Sequence, residues 1–174
     1  MTRTALSVSA ALVLGLALLP AGAVGQQKSF KDQLVGTWTL ASWAQTRPDG
    51  SKFERFGTEP KGVNVFTADG RFFLMFARPD LPKLANNDPR NPTPEEARAI
   101  AIGTIAYFGT YTVDEPSKTV TLRVDSSTLP NQVGVDQKRT ITSLTADELK
   151  YTNPTPIIGG RIDVGFRRAT AATN

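Results

Sequence analysis

The stretch KTVTLRVD, residues 118–125, decides the fold class, because apolar and polar residues alternate along it. Val120, Leu122 and Val124 fall on one side of an extended chain, whereas Arg123 and two threonines fall on the other. A period of two residues is typical of a β-strand with one buried and one solvated face. The stretch therefore predicts a strand of an antiparallel sheet whose apolar side covers a core.

Segments of similar length recur along the chain, and we predict nine strands in total. They are residues 36–44, 51–56, 62–67, 71–77, 107–113, 119–125, 137–144, 148–152 and 161–168. Pairs such as Asp49-Gly50 and Asp69-Gly70 separate neighbouring strands, and glycine there accepts the positive φ of a hairpin turn. Evenly spaced hairpins with one apolar face predict an all-β fold, an antiparallel up-and-down β-barrel of eight or nine strands.

One long segment, RPDLPKLANNDPRNPTPEE at residues 78–96, interrupts the series of strands. Four prolines exclude regular structure over residues 78–92, because each removes a backbone donor and restricts the residue before it. Loops of this length in compact domains are usually functional lids or spacers. We expect a lid over the barrel mouth, with Leu81 and Leu84 as its anchors.

A capping box predicts a short mid-chain helix directly after this loop. The Thr93 side chain is placed to accept from the backbone of Glu96, Pro94 suits the first helical position, and the helix should end near Gly103 or Ile105. Its apolar stripe, expected to face the barrel, consists of Ala97, Ile100, Ala101 and Ile105. The stripe fits either a plug that closes the barrel for stability or a gate over a ligand, with Ile100 as part of the lid.

Two residues that are far apart in sequence are predicted to close the other end of the barrel. The motif GTW at residues 36–38 opens the first strand, with Trp38 and Ser42 on one face. Arg168 is in phase with the apolar residues of the last strand, so it should cover the Trp38 ring as a cation–π partner. We interpret Gly36, Trp38 and Arg168 as structural residues.

Candidate ligand-binding residues come first from two apolar strands. Phe72, Leu74 and Phe76 lie on one side of their strand, which we assign to the cavity, and the opposite side should lie under the helix. A simple core role explains the same pattern. Tyr107 and Tyr111 share a face and offer hydroxyl groups to an apolar pocket. Gly109, between the two tyrosines, is expected to mark a bulge or a sharp bend.

Polar candidates come from two further strands and a loop. Arg123 and Arg139 interrupt strand patterns, and each is able to bind a ligand carboxylate or phosphate through two hydrogen bonds unless it points to solvent. Asn131 and Gln132 lie in a loop rich in proline and glycine that should rim one end of the barrel. These residues complete the predicted ligand-binding set.

At these residues the chain resembles the lipocalin-like domain family of small, mostly bacterial proteins. The resemblance covers residues 34–168 and rests on LVGTWTLASW, RPDGS, PKGVNVFTADGRF, RPDLPKLANND, GTIAYFGTYTVDE, LPNQVGVDQKR and YTNP, in that order. It implies a calycin-like antiparallel barrel with a small-molecule cavity.

Composition excludes several classes of function. Cysteine and histidine are absent from all 174 residues, which excludes disulfides, thiolate chemistry, Ser-His-Asp or Cys-His catalysis and structural zinc. Many acidic residues lie in turns, so we assign no catalytic residue, metal or cofactor. The net charge of +4 is dispersed along the chain, and no nucleic-acid partner is expected.

Residues 1–25 are interpreted as a secretory signal peptide. The n-region carries Arg3, Ala5–Leu19 forms an apolar run, and small residues at 21–23 precede the expected cleavage site. The run is short for a membrane span, so no stable membrane insertion is expected after cleavage. We expect export to the periplasm or extracellular space, a barrel domain at residues 34–168 and a frayed tail at 169–174.

Three functions fit these observations. The first is an exported, non-enzymatic protein that binds a small apolar or amphipathic molecule in the barrel. The second is a barrel enzyme, a cyclase or isomerase, in which Tyr107, Tyr111 or a buried carboxylate acts as acid or base. The third is a structural domain without a usable cavity. A carboxylate in the cavity would favour the enzyme, and the cavity volume bears on the third function.

Overall fold

The structure of the chain, a computed structural model, describes residues 28–170. The predicted signal peptide and the last four residues of the predicted tail lie outside this range. The strands are β1 (Gly36–Thr46), β2 (Lys52–Phe53), β3 (Lys61–Phe66), β4 (Arg71–Ala77), β5 (Thr104–Asp114), β6 (Thr119–Ser127), β7 (Asp136–Leu144), β8 (Glu148–Asn153) and β9 (Arg161–Arg168). The helices are α1 (Phe30–Leu34) and α2 (Pro94–Gly103). Within residues 28–170, neither helix is long and apolar enough to cross a membrane.

The strands form one antiparallel up-and-down barrel, which confirms the predicted fold. The sheet order is β2-β1-β3-β4-β5-β6-β7-β8-β9, and β1 also pairs with β9, so eight strands close on themselves. The ninth strand, β2, pairs only with the end of β1 and lies outside the closed ring. It is much shorter than predicted, because the chain turns at Gly57, which has a φ of +75° and donates its N–H to the Glu54 carbonyl.

Along each strand every second side chain points into the barrel, but a bulge in β1 reverses this alternation within the strand. The register with β9 shifts between Leu40 and Ser42, so that Trp38 and Leu40 point inward before it and Trp43 points inward after it. Ser42 is exposed, and the prediction that it shares a face with Trp38 is therefore wrong. The predicted irregularity at Gly109 is present, and a Cβ there would clash with the Arg123 carbonyl oxygen.

The outer face of β4 is not covered as expected. Phe73 and Met75 are 41% and 45% exposed, and the neighbouring Phe108 on β5 is 47% exposed. The prediction that this side of β4 lies under α2 is wrong, because Arg55 holds the end of α2 at the rim of the barrel. Its guanidinium donates to the Ile102 carbonyl at 2.7 Å and to the Thr104 carbonyl at 3.0 Å.

The helix α2 begins as predicted, but a different face lies inward. Thr93 and Glu96 form the reciprocal capping box, and the helix ends at Gly103. Ile100 is half-buried, whereas Ala97 and Ala101 of the predicted stripe are exposed. The sequence analysis missed α1, although Ser29 and Asp32 form a capping box of the same type.

The two ends of the barrel differ in how the strands are connected. Because neighbouring strands are antiparallel, successive connections alternate between the ends. The tight turns 67–70, 115–118 and 145–147 lie at one end, here called the closed end, together with α1. The longer connections 47–60, 78–103, 128–135 and 154–160 lie at the other end, here called the mouth. The mouth is therefore the end at which the longer and less regular connections meet.

Candidate functional site

A cavity of about 50 Å³ lies inside the mouth half of the barrel. Its wall combines aromatic and aliphatic side chains with a few buried polar ones. The lining residues are Trp43, Arg55, Phe56, Phe76, Ile105, Tyr107, Leu129, Gln132, Arg139, Tyr151, Asn153, Pro156, Ile157, Ile158, Ile162 and Val164. Ligand pockets usually measure about 300–1,000 Å³. This cavity is therefore large enough for a few non-hydrogen atoms but not for a whole drug-sized molecule.

Arg139 is the most unusual residue of the cavity wall. It is 4% exposed, and its Nη2 donates to the Tyr107 hydroxyl at 3.2 Å and to Gln137 Oε1 at 3.1 Å. Its Nη1 donates to the Lys138 carbonyl at 2.9 Å. All three acceptors are neutral, and within residues 28–170 no carboxylate lies within ion-pair distance of the guanidinium. The barrel thus holds a buried positive charge without a counter-ion in the described part of the chain.

The donors around Arg139 are not all satisfied. Its Nε and the Nε2 of Gln137 are buried and have no hydrogen-bond partner within the described residues. Because Gln137 Oε1 accepts from Arg139, the amide orientation is set, and Nε2 must be the donor end. Buried donors without acceptors are rare in native proteins. The surroundings of Arg139 therefore lack acceptors, and Arg139 is the member of this pair that lines the cavity.

Tyr151 does not provide the missing negative charge. Burial raises the pKa of Tyr151 well above its usual range, and nearby Tyr107 raises it further, while Arg139 lowers it. Burial by itself lowers the pKa of Arg139, but Tyr107 and Tyr151 together raise it more, and the net pKa is above its usual range. The guanidinium centre lies 5.6 Å from the Tyr151 ring centroid. Arg139 is consequently charged and Tyr151 neutral near pH 7.

A second arginine, Arg55, lines the rim of the cavity but is already engaged. It donates to three backbone carbonyls at the end of α2, those of Ala101, Ile102 and Thr104. The end of a helix carries a partial negative charge, which favours a cation there. Arg55 also stacks over Phe56 at 5.3 Å. It therefore anchors α2 at the rim, and Arg139 is the more deeply buried of the two cations in the described cavity lining.

Two apolar side chains of the cavity lining are exposed at the mouth. Ile157 and Ile158 are 48% and 47% exposed although both line the cavity. They precede Gly159 and Gly160, which have φ values of +77° and +73°. Gln45 donates its amide to the Gly159 carbonyl at 2.7 Å. The connection 154–160 thus places apolar atoms over the cavity, and Gln45 holds its backbone at the Ile158 and Gly159 carbonyls.

The predicted ligand-binding residues separate into three groups. Phe76, Tyr107, Gln132 and Arg139 line the cavity. Phe72, Leu74 and Tyr111 are buried outside its lining, and the Tyr111 hydroxyl donates to the Thr67 carbonyl at the closed end. Arg123 and Asn131 are exposed, and Arg123 pairs with Asp136 on the outer surface at 3.2 Å. This position excludes an inward role for Arg123. The sequence had indicated the outward position, because Arg123 is in phase with two threonines on the polar side of its strand.

The predicted lid residues Leu81, Leu84 and Ile100 do not line the cavity. They are half-buried, and Leu81 packs against Gly103 at the end of α2. The Glu96 carboxylate accepts from the Thr93 N–H and from the Ala85 N–H, both at 2.8 Å. These bonds fold the proline-rich segment back onto its own helix, and none of residues 78–96 lines the cavity.

Several lining residues were missed by the sequence analysis. Trp43 was missed because the β1 bulge reverses the alternation that was used to assign faces. Tyr151 and Asn153 alternate along β8, and this pattern, together with Ile157-Ile158 before two glycines, was a usable signal. Phe56 and Leu129 lie in irregular connections, where no periodicity marks the inward side chains.

The closed end contains the predicted contact between Trp38 and Arg168. The Arg168 guanidinium centre lies 4.0 Å from the Trp38 ring centroid, and the Trp38 indole donates to the Leu34 carbonyl at 2.8 Å. Arg168 also donates to the backbone carbonyls of Gln33, Val35 and Ala146. Gly36 has a φ of +138°, which favours glycine, and a Cβ at this position would lie 2.7 Å from the Arg168 Nη1.

Acidic residues are absent from the described cavity lining. Residues 28–170 also contain no cluster of three or more acidic side chains arranged to hold a metal ion. One form of the enzyme hypothesis required a carboxylate next to a cavity tyrosine. The described lining contains no such carboxylate.

The chain belongs to the lipocalin-like domain family, whose profile matches residues 35–162. No curated protein gives a significant match to the chain. The chain is also similar to solved barrel structures. A lipocalin-like protein from Bacteroides uniformis shares 15% identity with a TM-score of 0.41, and the match covers 79% of this chain and 99% of that one.

Two designed proteins are similar to the same degree. A redesigned β-barrel shares 14% identity with a TM-score of 0.43 over 80% of this chain and 95% of that chain. A de novo designed fluorescence-activating β-barrel shares 13% identity with a TM-score of 0.39 over 78% of this chain and 93% of that chain.

Proposed function

We propose that the protein binds a small amphipathic molecule in the mouth half of its barrel. The observation that carries this proposal is the composition of the cavity wall. Ligand pockets are typically lined by apolar and aromatic side chains with a few placed polar groups, and this wall has that character. The buried polar members are Gln132, Arg139 and Asn153.

The cavity volume determines how such a ligand would be held. About 50 Å³ accommodates one end of a molecule, so the remainder must lie against the apolar rim. Ile157 and Ile158 are the exposed apolar side chains of this rim. We therefore assign the role of gate to connection 154–160 rather than to the proline-rich segment, and its opening would enlarge the site.

Co-purification tests the proposal most directly. Native mass spectrometry of protein purified from its own host should show a non-covalent adduct that is lost on denaturation. Val164→Phe, which adds volume inside the cavity, should abolish the adduct, whereas Val65→Phe on the half-exposed outer face of β3 should retain it. Chemical denaturation of both variants would confirm that they fold. An adduct that persists in folded Val164→Phe protein would place the ligand elsewhere.

A second candidate function, a structural domain without a usable cavity, is favoured by one observation. The cavity is well below the usual range for ligand pockets, which is about 300–1,000 Å³. This function predicts the bare mass in native spectra and no saturable binding of any amphipathic probe. The two candidates therefore make opposite predictions in the same experiment.

We also propose that the protein acts after export to the periplasm or the extracellular space. The proposal rests on the apolar run Ala5–Leu19 and the small residues that follow it. N-terminal sequencing of exported protein should find a start between Val24 and Lys28. An exported form that retains Met1 would contradict cleavage of a signal peptide.

A further inference from the structure

We propose that the ligand carries a single carboxylate and that Arg139 is the residue that binds it. This inference rests on the proposed function, because it specifies the head group of the molecule that enters the same cavity. Four observations support it: the charge of Arg139, the unsatisfied donors, the polarity of the rest of the wall and the size of the space.

The first observation is the charge of the Arg139 guanidinium. Arginine does not lose its proton in proteins, so burial leaves Arg139 as a cation in a barrel core. A buried charge is expensive to remove from water unless an opposite charge compensates it. The two half-buried arginines of the described residues, Arg55 and Arg168, each donate to three backbone carbonyls. Arg139 binds only one backbone carbonyl, and it lines the cavity.

The unsatisfied groups also indicate an acceptor. Arg139 Nε and Gln137 Nε2 are both donors, and within residues 28–170 both are buried without a partner. The Tyr107 hydroxyl accepts from Arg139 and therefore has its own proton available to donate. A cationic or donor-rich ligand would add to this excess of donors. A carboxylate contributes only acceptors and forms strong charge-assisted bonds with guanidinium groups.

The remaining wall selects a singly charged head with an apolar body. One unbalanced positive charge matches one negative charge, whereas a phosphate monoester carries close to two charges at neutral pH. Within the described lining no acidic side chain would repel the anion. The space of about 50 Å³ holds a carboxylate and its first carbon atoms, and Leu129, Ile157 and Ile158 then meet the apolar part. The predicted class is an amphipathic monocarboxylate.

The test compares matched probes on the purified protein. Isothermal titration calorimetry would measure acetate, butyrate and octanoate against ethanol, butan-1-ol and octan-1-ol. Octanoate should bind at least tenfold more tightly than octan-1-ol. Arg139→Met should remove this preference, and Arg123→Met should keep it, because Arg123 is an exposed arginine on the adjacent strand with no contact to the cavity.

Each outcome separates the two proposals. Equal binding of octanoate and octan-1-ol by the wild-type protein would overturn the carboxylate inference and leave the binding function intact. No binding by any probe of either series would overturn both. If Arg139→Met fails to fold, the wild-type ratio still decides the question, and the ¹⁵N resonance of Arg139 Nε provides a second measurement. That resonance should shift on addition of octanoate and not on addition of octan-1-ol, and an unchanged resonance under saturating octanoate would contradict direct contact.

Discussion

Arg168 at the closed end and Arg139 in the mouth half belong to the same barrel but have opposite surroundings. Arg168 lies over the Trp38 ring, and its guanidinium nitrogens donate to three backbone carbonyls, two of them next to the end of α1. Arg139 is more deeply buried, and its Nε has no partner within the described residues. At the closed end, each guanidinium nitrogen of Arg168 thus has an acceptor. Beside the cavity, Arg139 retains one donor that has no acceptor within the described residues.

One uncharged side chain, that of Asn64, is also buried without a hydrogen-bond partner within the described residues, although it does not line the cavity. Asn64 is fully buried between Trp38 and Leu74 of the neighbouring strands, and its amide has no partner within residues 28–170. An uncharged amide without a hydrogen bond destabilises a protein by about 1–3 kcal/mol, whereas a buried ion without compensation costs several kcal/mol. Asn64 also lies outside the cavity lining. The contrast between the two arginines is therefore the larger effect.

Truncation of Trp38 should give the largest effect and test the closed end directly. Trp38→Ala removes a fully buried ring and its contact with Arg168, and we expect the free energy of unfolding to fall by about 3–5 kcal/mol. Trp43→Ala is the matched change at the mouth, where the ring already borders empty space, and should cost less. Chemical denaturation measures both. A loss below about 1 kcal/mol for Trp38→Ala would contradict its role in the core.

The two arginines should respond in opposite directions to the same substitution. Arg168→Met removes the cation over the Trp38 ring and the donors to three backbone carbonyls, and should lower the free energy of unfolding by about 2–3 kcal/mol. Arg139→Met removes a buried charge without a counter-ion, so the ligand-free protein should be unchanged or more stable by about 1 kcal/mol. Denaturation of both variants in ligand-free buffer gives the comparison. Equal losses for both would remove the distinction between the two ends.

A glycine pair sharpens the account of the closed end at a smaller scale. Gly36→Ala combines a φ of +138° with a contact of 2.7 Å to Arg168, and we expect a loss of about 2 kcal/mol. Gly134→Ala is the control, because its φ is +74° but no atom lies within 4 Å of the added Cβ. It should lose only about 1 kcal/mol from the backbone. Thermal or chemical unfolding would show whether the contact adds to the backbone effect.

The smallest effects should come from the connections at the mouth. Ile157→Ser with Ile158→Ser should weaken octanoate binding severalfold, because both side chains border the cavity. Leu81→Ser with Leu84→Ser should change the affinity by less than twofold, since these residues lie outside its lining. Hydrogen exchange provides a second measurement. Ligand-induced protection of residues 78–105 rather than 154–160 would restore the proline-rich segment as the lid.

Most of the fold was accessible from the sequence because its signals are local. Alternation marked the strands, glycine-containing pairs marked the tight turns, and Thr93-Pro94 with Glu96 marked the start of α2. The Trp38–Arg168 contact also followed from the phase of the first and last strands. The candidate site was less accessible, since a bulge in β1 moved Trp43 inward and irregular connections contributed Phe56, Leu129 and Ile157.

The sequence by itself determined which segments become strands, where they turn and which side chains share a face, because these properties depend on neighbours within a few residues. The tertiary structure decided which of two arginines is enclosed, which connections lie over the cavity and how little space remains inside. Alternation along their strands separates the faces of Arg123 and Arg139, but closure of β1 on β9 decides that the face of Arg139 becomes the enclosed interior. Such properties depend on contacts between distant parts of the chain, which no local pattern contains.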